Sequence, residues 1–306
     1  MTEAQRPKYD CLLFGKNFVL EQPDLFSYDS FSSNVFETAD LDDTLYPLSS
    51  GIAASCLQNI KDYMVEKLGI EQSKLPDLCN LLYKNYGTTM AGLRAIGYDF
   101  DYDEYHNFVH GRLPYDNIKP DPVLRSLLLS LPYKKVIFTN ADKIHAVKVL
   151  KKLGLEDCFQ GIICFETLNS TNKNFASVDK DEPECFGSEI FDIVGHFGQL
   201  NPGVELPKTP IVCKPSEAAI ARALKIAGLN PQRTLFFEDS VRNIQAGKRV
   251  GLDTVLIGTS QRVKGADYAL ESIHNLREGI PELWNVEIKS NKGYAGKVAV
   301  ETSVTA

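Results

Sequence analysis

Residues 134 to 154, Lys-Lys-Val-Ile-Phe-Thr-Asn-Ala-Asp-Lys-Ile-His-Ala-Val-Lys-Val-Leu-Lys-Lys-Leu-Gly, hold the unit on which the fold turns. Val136-Ile137-Phe138 is apolar throughout and rich in β-forming residues, the pattern of a strand buried on both faces. From about Asp142 the apolar residues recur at helical spacing up to Leu153, and Gly154 closes the run. A fully buried strand followed at once by a helix is half of a parallel crossover unit.

The same alternation continues downstream. Ile162 to Phe165 reads as a strand, and Ser216 to Ala227 as a helix closed by Gly228. Leu235-Phe236-Phe237 is a strand, Val241 to Val250 a helix and Thr254 to Ile257 another strand. Upstream, Cys11-Leu12-Leu13-Phe14 is a short buried strand. The pattern predicts an α/β protein with a Rossmann-like parallel sheet covered by helices on both faces.

Between Ser49 and about Pro120 the period is helical instead. Ile52, Cys56, Leu57, Ile60, Met64 and Leu68 share one face, Gly69 ends that run, and Gly87, Gly97 and Gly111 close shorter helices. No strand is expected there. The predicted organisation is a core from residues 1–48 and 121–288, with an all-helical insert at 49–120 over the sheet's carboxyl edge. Residues 170–210, polar and interrupted by glycine and proline, are expected to form a long surface loop. Residues 289–306 have little to bury and are expected to be disordered.

A chain of 306 residues with 43% hydrophobic and 24% charged residues is a soluble globular composition with a sizeable core. The net charge of −7 argues against a nucleic-acid binder and supplies no polybasic membrane patch. No apolar run approaches the roughly 20 residues of a membrane span, and the polar start lacks an apolar signal core. Seven scattered cysteines without a CxxC pair read as reduced thiols, which with the other features predicts a cytoplasmic protein.

The chemistry begins at Asp40-Leu41-Asp42-Asp43-Thr44. If Asp40 ends a buried strand, the Asp40 and Asp42 carboxylates emerge together where open parallel sheets put their ligands. Asp40 is the candidate nucleophile, attacking phosphorus to form an aspartyl-phosphate, and Asp42 the candidate acid and base. Repulsion between these carboxylates and a phosphate dianion calls for a hard cation. Asp40, Asp42, Glu238 and Asp239 are the candidate ligands, and such oxygen donors favour Mg²⁺. Lys214 supplies a fixed positive charge to the phosphoryl oxygens, Thr139 a hydroxyl, and the backbone near Asn140 further donors.

Four motifs in order, Asp-Leu-Asp-Asp-Thr-Leu-Tyr from Asp40, Ile-Phe-Thr-Asn ending at Asn140, Lys214, and Phe-Phe-Glu-Asp-Ser ending at Ser240, resemble those of the haloacid dehalogenase-like hydrolase superfamily. The helical block between the first two is similar to that family's C1-type cap. More narrowly, Leu-Tyr-Pro-Leu-Ser-Ser-Gly, Gly-Arg-Leu-Pro-Tyr, Ile-Phe-Thr-Asn-Ala-Asp and Glu-Asp-Ser-Val-Arg-Asn-Ile resemble the pyrimidine 5′-nucleotidase-like branch found in fungi and plants. The resemblance implies a Mg²⁺-dependent phosphatase of small phosphomonoesters, with pyrimidine nucleoside monophosphates as the suggested substrates. The family's dehalogenases lack the second aspartate of the first motif, so Asp42 favours phosphate transfer.

The chain departs from the family at one place. There the first strand runs directly into the nucleophile, whereas here Cys11 to Phe14 is followed by Gly15 and the motif resumes only at Asp40. Residues 15–39 read as an insertion. Either Val35 to Ala39 replaces the first strand, which buries or half-buries Glu37 at a cost, or Cys11 to Phe14 keeps that place and the insert loops out. A catalytically silent relative that binds a phosphorylated ligand or a protein partner is the alternative function this departure supports.

Other residues carry weaker signals. His106 and His110 stand four apart on one helix face, the spacing of two zinc ligands, but no third ligand is evident from the sequence. A helical surface facing the substrate is the preferred reading for them. Tyr86, Thr88, Thr89, Met90, Arg112 and Tyr115 are candidates for substrate contact or for ordinary packing. Asn243 is a candidate support for the metal site, and Asp239 or Ser240 a candidate cap for the following helix.

Overall fold

Six strands pair side by side, all parallel, in a computed structural model that describes residues 7–16, 45, 46, 48–170, 190–198 and 205–285. Asp40, Asp42 and Thr44 lie outside the described residues, as do the alternative first strand at 35–39, the expected tail at 289–306 and most of the expected loop at 170–210.

In chain order, β1 is Cys11–Lys16, followed by helices α1 (Ile52–Glu66), α2 (Leu75–Tyr86), α3 (Thr89–Ala95), α4 (Tyr102–Gly111) and α5 (Pro122–Ser130). Strand β2 (Lys134–Thr139) leads to α6 (Lys143–Leu153), β3 (Gly161–Ile163), α7 (Phe165–Asn169) and α8 (Ile193–Gly198). Helix α9 (Glu217–Ala227), β4 (Thr234–Glu238), α10 (Val241–Val250), β5 (Asp253–Ile257), β6 (Tyr268–Leu270) and α11 (Leu276–Gly279) complete the order. The sheet reads β3-β2-β1-β4-β5-β6. This is a Rossmann-like order, and the connections reverse direction between β1 and β4.

Strand residues sort by parity onto two buried faces. Leu12, Phe14, Ile137, Leu235, Phe237 and Val255 pack in one cluster with Leu124 and Leu128 of α5 and Val149 and Leu150 of α6. Cys11, Leu13, Val136, Phe138 and Phe236 pack in the other with Ala219, Ile220 and Ala223 of α9 and Ala246 of α10. The period of two in a strand, with both sets buried, is why these segments are apolar throughout rather than alternating. At the centre, Phe14 stacks on Phe237 with ring centroids 4.7 Å apart.

Cys11 to Phe14 therefore occupies a central position in the sheet. Of the two alternatives for the first strand, the described residues bear out the one in which this segment keeps its place. The strand also runs further than its apolar residues: Gly15 pairs with Phe138 and Lys16 with Thr139.

Three segments differ from expectation. The strand expected at Ile162 to Phe165 stops at Ile163, because Cys164 turns the chain into α7: its N–H donates to Thr167 Oγ1 at 3.2 Å. Within residues 170–210, α8 is a short helix with Ile193 buried, and the Phe191 N–H donates to the Ile96 carbonyl at 2.9 Å. Strand β6 was not expected. It is three residues long and only Leu270 of it is buried, so it has no apolar run to reveal it.

Helices α1–α4 stand over the carboxyl edge of the sheet and are tied to it at several points. Arg242 of α10 donates to the Tyr83 and Lys84 carbonyls of α2 at 3.2 and 2.8 Å. Thr209 Oγ1 donates to the Ala91 carbonyl of α3 at 2.7 Å. Gly87, with φ of 88°, ends α2 so close to the core that a Cβ there would lie 2.4 Å from the Lys214 carbonyl oxygen. Only glycine suits both the conformation and the contact. No described helix is long and apolar enough to cross a membrane.

Candidate active site

The carboxyl ends of β1, β2 and β4 flank the point where the sheet's connections reverse, and five of the expected site residues stand there. Thr139 ends β2 and Asn140 follows it, Glu238 ends β4 and Asp239 follows it, and Lys214 precedes α9. Thr139, Lys214 and Glu238 are each 0% exposed and Asp239 is 4% exposed, so the polar groups here are desolvated.

Asn140 works as a clamp on the loop that carries Lys214. Its Oδ1 accepts the Lys214 N–H at 2.9 Å and its Nδ2 donates to the Lys214 carbonyl at 3.1 Å. The expectation that backbone donors near Asn140 cradle phosphate is thereby joined by a second task, holding Lys214 against the end of β2. The Thr139 hydroxyl accepts the Ala141 N–H at 3.0 Å and turns the chain after the strand.

Lys214 Nζ donates to Glu238 Oε2 at 2.6 Å, and both side chains are fully buried. The other carboxylate oxygen, Glu238 Oε1, accepts the N–H groups of Asp239 and Ser240, each at 3.2 Å. Burial pushes the Glu238 carboxyl up, but the Lys214 charge and these hydrogen bonds outweigh it and leave the group below its ordinary range. Ser240 is the residue before α10, and its own side chain makes no cap hydrogen bond to that helix. Asn243, expected to support the site, is buried on α10, and its Nδ2 has no hydrogen-bond partner among the described residues.

Glu238 reaches Lys214 by crossing the end of β1. A Cβ on Gly15 would lie 2.1 Å from Glu238 Oε2 and 2.9 Å from Phe236 Cε2. The next-to-last residue of the strand thus has no side chain, and the Lys214–Glu238 pair closes over it. Gly15→Ala is expected to lower stability by about 1–3 kcal/mol through overpacking, read as a shift in the urea unfolding midpoint. An unchanged midpoint would show that Glu238 has room to move aside.

The donor set suits a hard cation only in part. Glu238 and Asp239 offer carboxylate oxygens at one strand end, the chemistry Mg²⁺ takes. Both Glu238 oxygens are, however, directed to Lys214 and the backbone, so this carboxylate is arranged to hold Lys214. Asp239 is the described residue that best fits the role of ligand.

Between helices α1, α3 and α4 and the sheet lies a cavity of about 50 Å³, whose lining includes Thr88, Thr89, Met90, His106, His110 and Asn140. Three of the six residues singled out for substrate contact, Thr88, Thr89 and Met90, therefore share a cavity with a motif residue. Thr88 also caps α3, accepting the Ala91 N–H at 3.0 Å. Arg112 instead stacks on Phe108 at 3.7 Å from the ring centroid. Tyr115 hydrogen-bonds His145 Nδ1 at 2.6 Å on another side of α4, and Tyr86 does not line the cavity.

His106 is 6% exposed, and burial, aided by the neighbouring His110, lowers its pKa to about 3, so the ring is neutral. A residue that the sequence did not reveal joins the two histidines: Asp142, which caps α6 by accepting the His145 N–H at 3.1 Å. Its other oxygen hydrogen-bonds His110 Nδ1 and lies 3.8 Å from His106 Nδ1. Burial pushes the Asp142 carboxyl up, but His110 pulls it down further, leaving it below its ordinary range. The sequence marked Asp142 only as the start of a helix and the end of Ile-Phe-Thr-Asn-Ala-Asp, not as a partner of the histidines.

Comparison with known proteins bears on this geometry. Residues 191–257 match the model of a family described as haloacid dehalogenase-like hydrolase. The chain is 32% identical over 154 residues to phosphate metabolism protein 8 of Saccharomyces cerevisiae, a match covering 48% of this chain and 47% of that one. The match thus spans about half the length of that relative.

Among solved structures, a phosphatase of the same family from Thermococcus onnurineus aligns over 88% of this chain and 96% of its own, at 18% identity and a TM-score of 0.45. CbbY from Rhodobacter sphaeroides, solved in complex with phosphate, aligns over 90% and 99% at 14% identity and a TM-score of 0.48.

Proposed function

We propose, from the match of residues 191–257 to the haloacid dehalogenase-like hydrolase model, that the chain is a Mg²⁺-dependent phosphatase of that family acting on small phosphomonoesters, with pyrimidine nucleoside monophosphates as preferred substrates. The observation that carries this reading is the gathering of Thr139, Asn140, Lys214, Glu238 and Asp239 at the carboxyl ends of neighbouring parallel strands. A buried lysine beside strand-end hydroxyl and backbone donors is a site for a phosphoryl group. Helices α1–α4 serve as a cap that shields it.

In this reading Asp40 attacks phosphorus and Asp42 protonates the leaving oxygen, then activates the water that hydrolyses the aspartyl-phosphate. Lys214 balances charge on the transferred group, and Glu238 and Asn140 keep Lys214 aimed. Asp239, together with Asp40 and Asp42, would hold the Mg²⁺, which when bound offsets the repulsion between carboxylates and phosphate. The cavity that the described residues enclose, about 50 Å³, is far below the roughly 300 Å³ of a ligand pocket, and in this reading the cap opens to admit a nucleotide.

Phosphate release from a generic aryl phosphate tests this reading. Release that stops on chelation and returns with Mg²⁺ is expected, with uridine and cytidine monophosphates turned over faster than the purine nucleotides. Gly15, a strand residue without a carboxylate that lies against the Lys214–Glu238 pair, favours one alternative: a silent relative that binds a phosphorylated ligand. The absence of Mg²⁺-dependent release from any substrate would select it.

A further inference from the structure

We propose that His106, His110 and Asp142 form a binding site for a divalent transition-metal ion of the zinc class, separate from the Mg²⁺ site and clasping the helical block to the sheet. The three residues are all buried, and one donor atom from each lies within 4.8 Å of the others. Zn²⁺ binds nitrogen and oxygen donors at about 2.0–2.2 Å, which sets such donors about 3.3 Å apart in a tetrahedron. Small side-chain rotations separate the atoms that now touch and close the others to that distance. Two imidazoles and a carboxylate prefer zinc-like ions to Mg²⁺, which takes oxygen donors.

His106 supplies the independent observation. Neither of its ring nitrogens has a hydrogen-bond partner among the described residues, although the side chain is almost fully enclosed. Leaving buried polar atoms unsatisfied is costly, and such atoms in a folded protein call for a bound ion, a water or another partner. A histidine on an apolar face is usually a satisfied core residue; this one has no partner among the described residues. It packs edge-on against Phe165, with ring centroids 4.7 Å apart, and beside the His110 ring at 5.4 Å, which leaves few positions open to it.

The surroundings complete the site. Asp142 is oriented by the His145 N–H on its far oxygen, the kind of outer contact that fixes a metal-binding carboxylate. On binding, the ion takes the place between His110 Nδ1 and Asp142 Oδ1 that a hydrogen bond now spans, and water completes the coordination. A surface cleft lined by all three residues, with Asp103, His145 and Glu166, provides a way in. Because the histidines belong to α4 and Asp142 to the start of α6, the ion joins the block over the sheet to the core.

The test is titration of Zn²⁺ into the full chain with Mg²⁺ in excess, so that oxygen-donor sites are already filled. One equivalent is expected to bind, to raise the melting temperature and to shift the imidazole NMR signals of His106 and His110. Those signals are read in the unaltered chain and need no variant. His106→Gln and Asp142→Asn are each expected to weaken binding by more than about 10-fold, beyond the smallest loss typical of altering a residue that merely supports a ligand. Co²⁺ in place of Zn²⁺ should give a four-coordinate visible spectrum without the strong thiolate charge-transfer band. Binding with no change at the histidine signals, a thiolate band, or undiminished affinity in both variants would overturn the proposal.

Discussion

Glu238→Ala is expected to destabilise the chain by about 3–5 kcal/mol, measured by urea unfolding. The two partners of the Lys214–Glu238 pair are 0% exposed, so removing the carboxylate takes the Glu238 countercharge away from a lysine held in the core. The loss exceeds that of an exposed ion pair, which is usually under about 1 kcal/mol. Replacing both residues by apolar side chains of similar size, Lys214→Met with Glu238→Leu, should recover most of it, because no buried charge remains. Recovery would locate the cost in the unpaired charge; a double variant as unstable as the single one would place it in lost packing. The same pair gives the stability a pH dependence. Glu238 has a folded-state pKa below its ordinary 4.5, so its contribution is complete above about pH 4.5 and is lost as pH falls through the depressed value.

Asp40→Asn is expected to reduce Mg²⁺-dependent phosphate release by about 10⁴-fold or more, in kcat rather than KM. Losses of that order follow when a nucleophile is removed from a site whose binding groups remain. Asparagine keeps the shape of aspartate but cannot form the acyl-phosphate, while Thr139, Asn140 and Lys214 still receive the phosphoryl group. Asp42→Asn should cost less, about 10²–10⁴-fold, the range for general acid–base groups. Equal activity in the unaltered chain and in Asp40→Asn would remove Asp40 from the chemistry and assign any turnover to another group.

Much of the sheet was legible because strands buried on two faces must be apolar throughout. Val136 to Phe138, Leu235 to Phe237 and Thr254 to Ile257 show this, and all lie within strands of the structure. Helix α10 is bounded as read, because Gly251 follows it in the left-handed conformation. Elements stabilised by neighbours instead of by their own pattern were not legible. Strand β6 is short and half exposed, and α8 has one buried residue within a polar stretch.

The site divides in the same way. Motif spacing located Thr139, Asn140, Lys214, Glu238 and Asp239, but spacing says nothing of which charge pairs with which. Lys214 was assigned to phosphate and Glu238 to metal, and neither assignment foretold the hydrogen bond between them beside Gly15. The third member of the histidine cluster was missed for a related reason. Asp142 is far from His110 in the chain and meets it only because α4 is packed over the start of α6.

The most direct test of the central claim compares Mg²⁺-dependent phosphate release from an aryl phosphate by the unaltered chain and by one lacking residues 15–39. The deletion joins Phe14 to Asp40, so the carboxylate follows β1 without an intervening segment. Comparable activity in both is the predicted result, and it would mean that the segment brings Asp40 back to the strand end beside Lys214. Activity confined to the shortened chain would contradict it and mark the unaltered protein as a silent relative.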